Sequence, residues 1–521
     1  MNTKHTAVLV ILSAAIAICI AMVVVQPAGE PTSSVIVQGE DLASVRTAVK
    51  SVGGEVTHEL GVIDAVGAEL TARQRVALEE RGLLLHQNAS VELATVSGGD
   101  SRYVHFPALI GAHLLHDQGI DGSGVTVAVL DSGFFATSEL QRLPDGTFRL
   151  LEAYNSTLDT YPDVPLDKFG HGSHVASIIL NSSSPLDMPD RYNGVAPFAQ
   201  VVAVKAFDKL GQSTYASVIR GIDWLLANKD AYGIRVVNCS FSAEVRSHYW
   251  QDPLNQAIMA LWQAGIVVVA SAGNTGPEPM TIGVPGNNPY IITVGAMTDN
   301  YTPAHKPDDF LASFSSTGPT YEGFIKPDVL APGGHMVGLS RVKSVLAKQH
   351  PEFHDTEKYF VMSGTSQAAA VVTGTVALML QADPTLSPDD VKCRLMDSAA
   401  PAVDPQGNLQ YSVFQQGAGM VDAYDAVYST EYGCVNRGLN VANDLNDIEH
   451  YGGLANQNEA GEFYIMGMQG DGYRWDGTYN PNAYFWNDAY FWNDAYFWND
   501  AYFWNDSLVE PMAVNVWVPQ E

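Results

Sequence analysis

The chain has 521 residues, which suggests about three or four domains at ~100 to 200 residues each and excludes a single binding repeat. Hydrophobic residues make up 46% of the sequence and charged residues 16%, so the chain can bury a large core and is not globally disordered. The net charge of −30 would repel a phosphate backbone, so we expect no nucleic-acid partner.

The apolar run from Ala7 to Val25 follows Lys4 and predicts an export signal within residues 1–28. The run exceeds the ~7 to 15 residues of an ordinary signal core and reaches the ~18 that span a bilayer. A cleaved signal peptide and an uncleaved membrane anchor therefore both stay open. In either case we expect an extracellular protein, secreted or tethered to the cell surface.

A small α+β unit is predicted at residues 35–96, because the hydrophobic periodicity from Val35 to Leu93 follows the order strand, helix, strand, strand, helix, strand. Thr71 and Gln74 form a capping box that predicts the start of its second helix. The polar stretch from Ser97 to Arg102 contains two glycines and has no periodicity, so it indicates a linker.

Residues 103–430 alternate short aliphatic strands with helices, which predicts an α/β domain with a mainly parallel sheet. The predicted strands are Val125–Leu130, Val201–Ala206, Ile234–Cys239, Ile266–Ala270 and Ile291–Val294. The predicted helices are Ser213–Asn228, Pro253–Ala264, Ser366–Gln381 and Pro388–Asp397. In such sheets the functional site forms beyond the carboxyl ends of the strands, so polar residues there are candidates.

Only three cysteines follow the signal, too few for a disulfide framework in a chain of this length. Cys393 and Cys434 would form a bridge if their backbones come close. Cys239 lies within an apolar strand pattern, which predicts a small buried hydrophobe rather than a nucleophile.

The C-terminal extension, residues 431–521, has weaker periodicity and repeats the hexamer AYFWND four times at 483–506. Six is a multiple of two but not of 3.6, so only an extended chain keeps each residue type on one face. Such an aromatic strip would bind glycans, a surface or another copy of the chain. Genetic expansion without a dedicated role is the alternative.

Three motifs place polar side chains where strands or loops meet helices. VAVLDSG brings Asp131 to a strand end, FGHGSHVAS brings His171 to a helix start, and MSGTSQAAA brings Ser366 into the first turn of a long helix. Unpaired N–H groups and the helix dipole favour an anion beside Ser366. The order Asp, His, Ser is one of those in which a catalytic triad occurs, and the absence of GxSxG around the serine argues against an α/β-hydrolase.

Together with VASAGNTGP, these motifs resemble the motif set of the subtilisin-like serine proteases, the subtilases of peptidase family S8. The resemblance extends from Gly119 to Val427, and the unit at 35–93 resembles the family's inhibitory I9-type propeptide. It implies a subtilisin-like α/β fold, a three-layer doubly wound mainly parallel sheet, preceded by a small α+β ferredoxin-like propeptide.

The resemblance also implies catalytic roles. Ser366 would attack the scissile carbonyl, His171 would take and return the proton, and Asp131 would hold the imidazole in its working tautomer. Asn274 matches the asparagine that donates to the oxyanion, together with the backbone N–H of Ser366.

A substrate cleft is implied in the same way. Its residues are Gly211, Gln212 and Ser213 on an edge that pairs with extended substrate, Ser240, Phe241, Ser242, Ala272 and Gly273 on the two strands lining the S1 pocket, and Gly283 near the pocket floor. Phe241 and Ser242 stand where relatives commonly have Leu-Gly, so we expect a narrower pocket and leave its side-chain preference open.

No cofactor is expected for the chemistry. His171 and His174 lie three residues apart on a helix, but no third ligand is recognisable, so we predict no catalytic metal. The oxygen-rich stretches Asn181–Asn193 and Asn443–Asp447 are candidates for structural calcium, which members of the family often bind.

The sequence therefore predicts a secreted serine endopeptidase acting on proteins or peptides through an acyl-enzyme. It would be made as a zymogen, inhibited by its own propeptide and self-cleaved between about Ala94 and Tyr103. A non-catalytic surface or adhesion protein on the same scaffold is the alternative. A processing protease with one cognate substrate is a second alternative.

Overall fold

The computed structural model describes residues 31–93, 104–135, 137–163, 166–184, 191–300, 302, 309–404, 409–457, 463–465 and 496–497. Within these ranges, no helix combines the length and apolarity needed to cross a bilayer. The predicted signal or anchor, the predicted cleavage region at 94–103 and nearly all of the AYFWND repeats lie outside the described residues.

The N-terminal unit, residues 32–93, contains two capped helices and five strands. Its elements are β1 (Thr32–Gln38), α1 (Leu42–Ser51), β2 (Glu55–Leu60), β3 (Ala65–Thr71), α2 (Ala72–Glu79), β4 (Leu84–Gln87) and β5 (Ser90–Leu93). Asp41 caps α1 by accepting from the Ser44 backbone N–H at 2.9 Å. Thr71 and Gln74 form the predicted capping box at α2. The first four strands form an antiparallel sheet in the order β2-β3-β1-β4.

The large domain follows in an alternating order of strands and helices. Its first elements are α3 (Phe106–Leu109), α4 (Ala112–His116), β6 (Thr126–Asp131), α5 (Ser138–Gln141), β7 (Leu150–Asn155), α6 (His171–Leu180), β8 (Gln200–Lys205), β9 (Gln212–Thr214), α7 (Tyr215–Tyr232), β10 (Ile234–Cys239), β11 (Phe241–Ser242), α8 (Pro253–Gln263), β12 (Val267–Ser271) and β13 (Ile292–Thr298). The next elements are β14 (Phe310–Leu311), β15 (Val329–Pro332), β16 (Met336–Leu339), α9 (Val345–Gln349), β17 (Tyr359–Met362), α10 (Thr365–Ala382), α11 (Pro388–Asp397), α12 (Val413–Gln416) and α13 (Ala423–Tyr428).

An eight-stranded sheet organises this domain in the order β14-β13-β12-β10-β6-β8-β7, with β15 also paired to β13. Every described pair in it is parallel except β13 with β14. Parallel strands need covering on both faces. Helices α10 and α6 pack together over the sheet, while α7 and α8 pack together in a second helical layer.

The predicted strands and helices of this domain are confirmed, with ends that differ by a few residues. β10 and α11 have the predicted bounds, and α10 runs from Thr365 to Ala382 with all residues through Leu380 buried. β7 was not predicted, because its sequence LLEAYN mixes apolar and polar residues at a sheet edge.

The N-terminal unit lies against α7 and α8. The side chain of Gln38 donates to Gln256 Oε1 at 2.8 Å, and the Asn88 side chain accepts from the Ala216 backbone N–H at 2.9 Å. Ile36 and Ile63 belong to the same buried apolar cluster as the large domain, whereas Val35 and its neighbours form a separate small core. One face of the small sheet therefore covers its own helices, and the other covers the large domain.

The described part of the C-terminal extension packs on the large domain. It contains α14 (Val441–Leu445), β18 (Tyr451–Gly452), β19 (Ala455–Gln457), β20 (Phe463–Ile465) and β21 (Tyr496–Phe497), which pairs with β18. Cys393 and Cys434 form a disulfide. Their Cα atoms lie 5.3 Å apart, so their backbones are as close as the predicted bridge requires. Cys239 is fully buried and unbridged, and burial together with the charge of Asp131 raises the pKa of its thiol.

Removing this disulfide should lower stability, because the bridge closes a loop across a sequence separation of 41 residues. We expect the Cys393→Ala/Cys434→Ala double variant to lose about 2 to 4 kcal/mol in free energy of unfolding. Urea denaturation in a Ser366→Ala background, which prevents self-digestion, measures the change. The bridged parent treated with reductant should match the double variant, and an unchanged midpoint in both would contradict the structural role of the bridge.

Candidate active site

Asp131 and His171 meet at the carboxyl edge of the central sheet. β6 ends on Asp131, and α6 begins on His171. Nδ1 of His171 lies 2.8 Å from Oδ1 and 3.0 Å from Oδ2 of Asp131, and both side chains are buried. This contact favours a proton on Nδ1 and leaves Nε2 as the acceptor. Nε2 is buried and has no hydrogen-bond partner among the described residues.

A second carboxylate, Asp167, fixes the start of α6. It accepts from the backbone N–H groups of Gly170 at 2.8 Å and Ser173 at 2.9 Å. The Ser132 hydroxyl donates to Asp167 at 2.9 Å and accepts from the Gly172 N–H at 2.9 Å. A Cβ on Gly172 would lie 2.5 Å from the backbone oxygen that follows β6, so only glycine allows this approach. Asp167 was not predicted from the sequence, although a carboxylate just before a helix start is a recognisable cap signal.

Ser366 lies in the first turn of α10, beside the end of β10. Its hydroxyl donates to the Ser240 carbonyl at 3.1 Å, and the Ser240 hydroxyl donates to the Ser366 carbonyl at 2.9 Å. The next residue, Gln367, reaches His174 Nδ1 at 3.5 Å, one turn after His171. The N-terminal ends of α10 and α6 therefore lie side by side.

Asn274 has one end of its amide fixed and the other end available. Its Oδ1 accepts from the backbone N–H of Thr365 at 3.0 Å and from the hydroxyl of Thr365 at 2.9 Å. Its Nδ2 is buried without a hydrogen-bond partner among the described residues. A buried donor of this kind costs about 1 to 3 kcal/mol unless something accepts from it. Beside Ser366, a negatively charged oxygen formed during the reaction is a suitable acceptor.

An extended segment occupies the cleft next to Ser240. β5, the last strand of the N-terminal unit, is the middle strand of a three-stranded antiparallel sheet in the order β11-β5-β9. Leu93 pairs with Phe241, and Glu92 pairs with both Ser242 and Gln212. Gly211 precedes β9 with φ of 76°. The two edges implied to bind substrate therefore hold a strand of the same chain.

Ser242, Gly273 and Gly283, which the resemblance assigns to the S1 pocket, lie close together. A Cβ on Gly283 would overlap the Ser242 hydroxyl oxygen, and a Cβ on Gly273 would lie 3.4 Å from that same oxygen. Ala272 connects the segment of Gly273 to that of Gly283, because its carbonyl accepts from the Gly283 N–H at 3.2 Å. Phe241 is placed differently: its side chain is buried against Phe207, with ring centroids 5.4 Å apart, and only its backbone borders the cleft.

His174 has a structural environment. Its Nε2 lies 3.1 Å from the Met336 carbonyl oxygen and 3.0 Å from that of Phe360, so it donates to them. Burial lowers the pKa of His174 to about 3, which keeps the ring neutral. Across the described residues, no three or more His, Cys, Asp or Glu side chains are grouped to hold a metal ion.

In the described parts of the two candidate calcium stretches, side-chain oxygens accept hydrogen bonds from other protein groups. Asp444 accepts from the hydroxyls of Tyr249 at 2.8 Å and Tyr290 at 2.5 Å and lies 2.9 Å from His450 Nδ1. Asn181 Oδ1 accepts from the Ser183 backbone N–H at 3.0 Å and its hydroxyl at 2.6 Å. Calcium prefers six to eight oxygen ligands, and structural calcium at these stretches stays a prediction.

Comparison with known proteins identifies the family of this chain. A model of the Subtilase family, peptidase S8, matches residues 122–419, more than half of the chain. The chain is 38% identical to serine protease AprX of Bacillus subtilis over 60% of this chain and 67% of that protein. It is 32% identical to subtilisin DY of Bacillus licheniformis over 56% of this chain and 89% of that protein.

A solved structure supports the same fold. The crystal structure of fervidolysin from Fervidobacterium pennivorans, described as a keratinolytic enzyme related to subtilisin, aligns with a TM-score of 0.60 and 22% identity. The alignment covers 78% of this chain and 62% of that one. The predicted subtilisin-like α/β fold is confirmed. The chain belongs to the subtilase family of serine peptidases.

Proposed function

We propose that this protein is a secreted serine endopeptidase made as a self-processed zymogen. The observation that carries the proposal is the extended strand β5, held in antiparallel register between two cleft strands beside Ser366. Main-chain pairing of this kind recognises a peptide in extended form largely independently of its sequence. The site is therefore suited to proteins and peptides as substrates.

The proposed reaction uses two buried nitrogen atoms that have no hydrogen-bond partner among the described residues, His171 Nε2 as the proton acceptor and Asn274 Nδ2 as a donor. His171 Nε2 takes the proton as the Ser366 hydroxyl attacks the scissile carbonyl, and Asp131 stabilises the imidazolium that forms. Asn274 Nδ2 and the Ser366 backbone N–H donate to the oxyanion. Collapse gives an acyl-enzyme and an amine that takes the proton from His171, and water then hydrolyses the ester by the reverse sequence. No cofactor takes part in these steps.

The N-terminal unit acts in this proposal as an inhibitor that is covalently part of the chain. β5 occupies both substrate-binding edges, so a second peptide cannot pair with them. Contacts outside the cleft support the same docking, including Arg246 to the Gln87 side chain at 2.5 Å. Cleavage after β5 would separate the unit from the large domain, even if an N-terminal helix stayed in a membrane.

Replacement of the nucleophile tests the proposal directly. We expect Ser366→Ala to reduce casein hydrolysis by about 10⁴-fold or more, the size of effect seen for triad substitutions in serine proteases. The variant should also accumulate as an uncut precursor and lose labelling by a fluorophosphonate. Ser123→Ala, in an exposed loop, is the matched control. Casein hydrolysis by Ser366→Ala at the parental rate would favour another catalytic group, and cell-surface binding without cleavage by either form would favour an adhesion protein.

Asn274→Ala should lower kcat with little change in KM, because its Nδ2 donates only as the oxyanion forms. Loss of the corresponding donor in a subtilisin lowers kcat by about 10²- to 10³-fold, and we expect an effect of the same size here. Thr365→Val retains the donor and removes one of the two groups that orient it, so its loss should be smaller. Steady-state kinetics on one peptide substrate compares the two variants. Equal kcat in Asn274→Ala and the parent would rule out this oxyanion donor.

The position of self-cleavage follows from the strand register. Leu93 pairs with Phe241, so a substrate residue one position further along the same register would face Ser240, whose carbonyl accepts from Ser366, and in the chain's own sequence the residue after Leu93 is Ala94. We therefore expect the first cut after Ala94, so that N-terminal sequencing of early product begins at Thr95. Trimming within 96–103 at later times is compatible with this order of events. An early N-terminus inside 35–93 would contradict it.

A further inference from the structure

Ser242 lies on the strand that pairs with β5, and its side chain lies close to Gly273 and Gly283. Side chains two apart on a strand share a face, so Ser240 and Ser242 point to one side while Phe241 points to the other. The burial of Phe241 against Phe207 agrees with that alternation. A substrate residue paired with Ser240 has its side chain on the face of Ser242.

The distance between these positions determines what fits. In an antiparallel pair, a residue and its diagonal neighbour lie about 7 to 8 Å apart, within reach of an aromatic or long side chain. A methyl side chain on the residue opposite Ser240 is too short to contact Ser242. A ring there runs toward the Ser242 hydroxyl, which is in contact with Gly283 at the pocket floor and faces Gly273 in the wall.

Gly273, on the side opposite Ser242, has no room to move away. Gly273 has φ of 109°, and a Cβ built on it would lie 2.9 Å from the Ser316 hydroxyl, so it is confined between Ser242 and Ser316. Ser316 is itself held by the Thr275 backbone N–H at 3.1 Å. A large substrate side chain would therefore have to displace Ser242, and it would also cover the serine hydroxyl with apolar surface.

We propose that Ser242 restricts this peptidase to small side chains, Ala, Ser or Gly, at the residue whose carbonyl is attacked. The chain's own sequence agrees, because the residue that follows β5 is Ala94. This inference rests on the proposed endopeptidase function and adds the class of substrate. Overpacking of a closed pocket costs the equivalent of about 10- to 100-fold in kcat/KM.

The test uses the full chain after it has processed itself, with active sites counted by fluorophosphonate labelling. Two chromogenic peptides, succinyl-Ala-Ala-Pro-Ala- and succinyl-Ala-Ala-Pro-Phe-p-nitroanilide, differ only at the critical residue. The parent should prefer the alanine peptide by at least about tenfold in kcat/KM. Ser242→Gly should lower the alanine-to-phenylalanine ratio at least about tenfold, and Ser247→Gly, the same substitution in the following loop, should leave that ratio at the parental value.

A second readout does not depend on the glycine variant folding. Ala94→Phe should slow self-cleavage of the precursor in the parent, and Ser242→Ala, which removes only one oxygen atom, should restore part of that rate. A parent that prefers the phenylalanine peptide, or a ratio that Ser242→Gly and Ser242→Ala both leave unchanged, would overturn the inference. Failure of the proposed function looks different: Ser366 is not labelled, and neither peptide is hydrolysed.

Discussion

The structure depends on one contact, the hydrogen bond between a buried carboxylate and a buried imidazole that are 40 residues apart in sequence. Neither Asp131 nor His171 is accessible to water, so an error in position would leave a charge or a polar nitrogen without compensation. The parallel sheet fixes the position of Asp131, because β6, which ends on Asp131, is paired with a strand on each side. Asp167 and Ser132 then bind the start of α6 to the same strand end.

The same part of the structure contains the two cleft strands that pair with β5, the strand of the proposed inhibitory unit. β9 and β11 are short edges, and the N–H and C=O groups of unpaired edges attract any extended chain. In this structure pairing with β5 satisfies those groups, and in the proposed zymogen a substrate would pair with them after cleavage. Backbone hydrogen bonds carry no sequence preference, so selectivity must come from the side chains beside them. We propose that Ser242 is the side chain that selects.

Sequence patterns were sufficient to predict those site residues and helices whose pattern lies within a short stretch of the chain. Asp131, His171 and Ser366 each stand at a strand end or helix start that short-range patterns identify, and the apolar length of α10 made it predictable. The bonding of Asp167 depended on loops meeting from separate parts of the chain, so its role needed coordinates. Sequence analysis placed Phe241 and Ser242 together in the cleft, and strand alternation separates them, while the contact of Ser242 with Gly283, 41 residues further along the chain, needed coordinates.

The folded domain continues past the region that the family model matches, and buried charges explain why. Asp328 lies beside two buried ammonium groups, at 2.6 Å from Lys326 and 3.1 Å from Lys392. Burial lowers the pKa of Lys326 to about 7, so its charge depends on Asp328. Lys392 also donates at 3.2 Å to Asn436, which belongs to the C-terminal extension. Asn436 in turn donates to the Tyr290 carbonyl at 2.9 Å, and the nearby Cys434 is bridged to Cys393 in α11, so residues near 436 pack as part of the same folded core.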